Sequence, residues 1–162
     1  MRVIPYLIYL VFIAFYVVIL QTPTSILTAS INLPALIVLT VAIYKDHVPA
    51  TWFGFAAGLV AFAGGPPSQL GWQGLIMAAL ALAACQIRDR MNLESLRAKL
   101  LLVLAGLLVH NVAVLLVSRA DGFLLNLVTY VLAGAVYTAV LAWLFFLVKE
   151  RVLTVEKIKS IF

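Results

Sequence analysis

His110 and Asn111 stand side by side in the middle of an apolar run, and Asn126, Tyr130 and Tyr137 follow in the next one. Polar side chains inside such runs are costly and have to find partners, so they are the first candidates for chemistry. A proton relay would need a carboxylate among them. All six acids (Asp46, Asp89, Glu94, Asp121, Glu150, Glu156) lie outside the centres of the apolar runs. A metal would need more than His110, and the only other histidine, His47, falls in a charged break. Two readings of His110, Asn111 and Asn126 stay open: hydrogen-bonding glue between helices, worth about 1 kcal/mol a bond, or a ligand or partner contact. The lone cysteine, Cys85, permits no intrachain disulfide and reads as a small apolar side chain.

Small residues form the second pattern. Ala50, Gly54 and Gly58 recur every fourth position, as do Gly74 and Ala78, and Gly134, Thr138 and Ala142. Glycine or alanine at this spacing lets two helix backbones approach closely. The stripes predict helix packing, either inside the chain or against another molecule, including a second copy. There is no HExxH, no GxSxG and no P-loop pattern, and serines and histidines are too scattered for a nucleophile–base pair. The residues call for no enzyme, no metal and no cofactor.

The elements that position these residues follow from composition. The 162 residues are 65% hydrophobic and 10% charged, with a mean hydropathy of +1.17. Soluble domains carry about 25% charged residues, so this chain lacks the polar surface of a water-soluble globule. Apolar runs cover Ile4–Leu20, Ile26–Tyr44, Val48–Ala63, Leu70–Ile87, Leu100–Val117 and Phe123–Val148. They do not alternate as barrel strands would. The expected fold is an all-α integral membrane protein: six transmembrane helices in one bundle over residues 1–148, with an amphipathic cytoplasmic tail over 149–162. The fourth helix is expected to run on past its apolar part, with a restart at Asn92.

The second run is the weak one, because its strongly apolar part, Leu33–Tyr44, is short for a span of about 20 residues. Charge decides. With six spans, ten of the 11 basic residues fall on one side and only Arg119 on the other. Basic residues collect on the cytoplasmic side, so both termini are expected there, in a bacterial inner membrane. Pro34 then opens the second helix and Asn32 caps it. The net charge of +5 predicts contact with anionic lipid headgroups and not with nucleic acid, since the cations sit between spans and not along one face.

The layout resembles the MreD family, the small membrane component of the bacterial rod-shape machinery. The resemblance rests on Gln21 after the first span and on Asn32-Leu33-Pro34-Ala35-Leu36 at the entry to the second, where Ala35 stands for the family's usual acid. It rests also on Gly54-Phe55-Ala56-Ala57-Gly58-Leu59, Gly64-Gly65-Pro66 and Leu70-Gly71. It implies a non-enzymatic scaffold of the elongation complex, working with the bitopic partner MreC, the filament MreB and the peptidoglycan synthases. The rival resemblance is to the substrate-binding S component of an energy-coupling-factor vitamin transporter, also a six-span fold. That class carries an alanine-rich first span, whereas Ile4–Leu20 here has one alanine, Ala14.

Overall fold

The computed structural model describes residues 4–20, 31–63, 67–91, 95–118 and 127–149. Asn126, the restart at Asn92 and the tail beyond Lys149 lie outside these. The described residues are mostly helical, forming six helices and no strand. They are α1 (Ile4–Phe15), α2 (Leu33–Tyr44), α3 (His47–Ala61), α4 (Pro67–Arg90), α5 (Leu96–Ser118) and α6 (Ala133–Lys149). A π-helical turn, Tyr16–Leu20, ends α1, and another, Leu127–Leu132, leads into α6.

Local chemistry explains the helix ends. The Asn32 side chain accepts from the Ala35 amide at 3.2 Å, and Pro34 occupies the first turn of α2, where its missing N–H costs little. Pro67 opens α4 by the same rule. The fourth helix runs on to Arg90, and the fifth begins at Leu96, with the Ser95 hydroxyl accepting from the Ala98 amide at 3.1 Å. Among the described residues, two stretches are long and apolar enough to cross a membrane: Leu96–Val117, mean hydropathy 2.7, and Tyr130–Lys149, mean hydropathy 2.3. Helix α2 has 12 residues, about 18 Å at 1.5 Å each, against a hydrocarbon thickness of about 30 Å.

The helices pack around α2, whose Ala35, Val38, Leu39 and Ala42 are all fully or nearly fully buried. Helices α3 and α4 form the most extensive pair. Helix α1 leans on α3 through Tyr6 and Tyr9, whose rings lie 5.8 and 6.2 Å from that of Phe53. The other face of α1 and its π-helical turn (Ile4, Leu7, Ile8, Val11, Val18) is exposed and wholly apolar.

The charged groups of the described residues gather at one end of the bundle. Arg88 donates from Nη1 to the carbonyls of Ala42 and Lys45, closing the C-terminus of α2. Its guanidinium also binds Asp89 at 2.9 Å, and His47 pairs with the same carboxylate. Lys149 lies over the Tyr44 ring at 3.2 Å and Lys99 at 5.8 Å, favourable cation–π geometry within about 6 Å. The Arg88 guanidinium, and after it His47, hold the Asp89 carboxyl below its ordinary value of 3.8. A carboxyl lowered in this way stabilises the fold while ionised and loses that contribution as pH falls through its folded value. Asp89→Asn should therefore lower the thermal midpoint at neutral pH. The gap to wild type should close below pH 3.8, as melting curves across the acid range would register; a gap independent of pH would refute the assignment.

A polar cluster opposite the charged end

At the opposite end the helices enclose a small polar cluster. Asn32 is its hub. With Oδ1 occupied by the Ala35 amide, Asn32 presents Nδ2 as a donor. That amide lies 3.0 Å from Asn111 Oδ1 and 3.0 Å from His110 Nδ1. Its backbone N–H donates to Thr138 Oγ1 at 2.9 Å. Thr138 in turn donates to the Gly134 carbonyl at 2.8 Å, and Asn111 Nδ2 to the Val131 carbonyl at 3.4 Å. Tyr16 donates to the Ile31 carbonyl, beside the hub. Helices α2, α5 and α6 and both π-helical turns are thus tied through one asparagine and its neighbours. π-Helical turns recur where a regular helix is interrupted for a local purpose; here they bring Tyr16 and the Val131 carbonyl to the cluster.

The cap also sets the histidine. Asn32 Nδ2 offers its proton to His110 Nδ1, which puts the neutral ring's proton on Nε2; Nδ1 also lies 3.3 Å from Asn111 Oδ1, to which it would donate in the other tautomer. His110 is 4% exposed, and its Nε2 has no hydrogen-bond partner among the described residues. Burying a donor unmet costs about 1–3 kcal/mol. The ring borders a cavity of about 110 Å³ to which every helix or its adjoining turn contributes: Tyr16, Asn32, Phe62, Gln73, His110 and Tyr130. At about 30 Å³ per molecule there is room for a few waters. The cluster consists of neutral amides, hydroxyls and one imidazole, groups that exchange hydrogen bonds.

His110 and Asn111 therefore come together, on a partner, Asn32, that the sequence marked only as a cap. Tyr130 lines the cavity, while Tyr137 makes no hydrogen bond to the described residues. Gln73, 6% exposed, and Thr138, fully buried, belong to the same end. Each is a polar residue inside an apolar run, which was the available signal.

The small-residue stripes of α3 and α4 meet in a separate seam, while Gly134 and Thr138 of the third belong to the cluster. A Cβ on Gly54 would stand 2.7 Å from the Met77 carbonyl oxygen. One on Gly58 would stand 2.5 Å from that of Gln73 and 2.8 Å from Gly74 Cα. Gly74 in turn faces Phe55 and Leu59. Ala50 is fully buried, Ala78 half-buried, and Gly134 buried on α6. The Gly54–Gly58 stripe is thus spent inside the chain, against α4. No protein-family model matches this chain, and no match is found among curated proteins or solved structures.

Proposed function

We propose that this chain is a non-enzymatic, six-span scaffold of the bacterial inner membrane, with both termini cytoplasmic. It would serve the cell-elongation machinery, as its resemblance to MreD implies. The observation that carries the reading is the perimeter: the outward face of α1 and its π-helical turn is apolar from Ile4 to Val18, in a bundle whose described charged groups collect at one end. Such a surface suits lipid and the spans of other membrane proteins. Its partners would be an MreC-like single-span protein and, through it, MreB and the peptidoglycan synthases.

Deletion in a rod-shaped host should give rounded cells with disordered lateral wall synthesis, and the tagged chain should co-purify with a single-span partner. A cysteine at position 68 should react with an impermeant maleimide from outside the cell. A second reading, the vitamin-binding S component, is favoured by the polar cavity on which all six helices converge. It predicts instead a deletion strain that stays rod-shaped and needs a supplied vitamin.

A further inference from the structure

A groove of about 520 Å³ runs along the outside of α5 and α6. Its walls are Leu100, Leu101 and Leu104 on one side and Val136, Ala139 and Val140 on the other. Arg97 and Trp143 close it at the charged end of the bundle. From Arg97 to Leu104 is seven residues, about 10 Å of helix. Leu101, Val136, Val140 and Trp143 are between 46% and 63% exposed, so the groove is an open face and not a closed seam. Arg97 makes no ion pair among the described residues.

We propose that this groove seats one anionic phospholipid, with an acyl chain along the Leu/Val walls and the phosphate on Arg97. The proposal rests on the reading of the chain as a membrane protein. Three features select this occupant. The sole charged residue lining the groove is a cation, placed at one end, as a lipid with an apolar tail and an anionic head requires. Arginine meets phosphate with a planar fork of donors. Trp143 shares the Arg97 end, and tryptophan favours the headgroup level of a bilayer. The N-terminus of α5 adds its positive dipole end at the same level. A second copy of the chain or a partner's helix would need an acid or its C-terminal carbonyls brought to Arg97, whereas an anionic headgroup stands at that level already.

Trp143 makes the site readable. With Trp52→Phe and Trp72→Phe, it is the only tryptophan left. The protein is reconstituted in phosphatidylcholine vesicles, with a fraction of the lipid replaced by phosphatidylglycerol or phosphatidylcholine brominated on the acyl chains. Brominated phosphatidylglycerol should quench Trp143 with a relative affinity about fivefold higher, the factor one basic residue contributes at an anionic surface. Arg97→Gln should abolish that preference, whereas Arg90→Gln, which removes the same charge from the end of α4, should leave it. Equal quenching by the two lipids, or equal loss in both variants, overturns the site. Variants that keep only Trp52 or only Trp72 separate the remaining failures. Quenching there but not at Trp143 means that protein covers the groove, and the proposal falls. No quenching at any tryptophan means that the chain is not in the bilayer, and the membrane reading falls with it.

Discussion

Gly58→Leu should abolish accumulation of folded protein, and even Gly58→Ala should lower the unfolding midpoint clearly. A single added carbon at this position lands 2.5 Å from the Gln73 carbonyl oxygen and 2.8 Å from the Gly74 backbone. Both are main-chain atoms of α4, so no flexible side chain can yield. The two helices must move apart, and α3–α4 is the most extensive pair in the bundle. Overpacking by one or a few carbons costs about 1–3 kcal/mol, more when the backbone has to shift, out of a total stability of about 5–15 kcal/mol. Gly54, facing the Met77 carbonyl at 2.7 Å, should behave alike. Gly71 is the control: it lies in α4, is exposed, and a Cβ there meets nothing within 4 Å. Gly71→Ala should be neutral or stabilising by up to about 1 kcal/mol, because alanine is the better helix former. Yield after extraction and the denaturant midpoint measure all four variants. Wild-type values for Gly58→Leu would mean that α3 and α4 do not meet at this stripe.

The contrast between Gly58 and Gly71 shows what could be seen in advance. Spacing alone picked out Gly54, Gly58 and Gly74, because recurrence every fourth residue is a local property. Which helix would receive them was not legible: the partner depends on how six similar apolar helices arrange themselves. The helix ends behaved the same way. Asn32 and Pro34 announce the start of α2 within three residues of chain, and the cap is there. Among the described residues the fifth helix is seen from Leu96, with the Ser95 hydroxyl directly before it accepting from an amide three residues on; the restart expected at Asn92 lies outside them.

The polar cluster was visible only in halves. His110 and Asn111 stood out because an imidazole and an amide break an apolar run. Asn32 was assigned to capping, and its reach to His110 crosses 78 residues of sequence. Thr138 was counted as a small spacer, yet its hydroxyl both donates to Gly134 and accepts from Asn32. One side chain with two jobs is hard to read from sequence because the first job already accounts for it. Gln73 is illegible for a related reason: a lone glutamine near the end of a span passes for an interfacial residue, and only the bundle shows it buried beside the cavity.

That double role of Asn32 makes a sharp prediction. Asn32→Ala removes the cap, worth about 1 kcal/mol, and the donor shared by His110 and Asn111. It leaves two buried acceptors unmet, and the interhelical bonds alone are worth about 0.6–2 kcal/mol each. The expected loss is about 3 kcal/mol. Asn32→Ser keeps a capping oxygen of equal quality but cannot reach either partner, so it should lose about 2 kcal/mol. The difference between the two variants isolates the cap. A double-mutant cycle with His110→Leu isolates the bridge: once the imidazole is gone, Asn32→Ser should cost markedly less, a coupling in the range of about 0.5–3 kcal/mol found for residues in one network. Reversible unfolding in mixed micelles measures each term. Strict additivity of Asn32→Ser and His110→Leu would show that the two side chains do not share a hydrogen bond. The proton would then have to be reassigned to Nδ1, leaving Nε2 as an acceptor at the cavity instead of a donor.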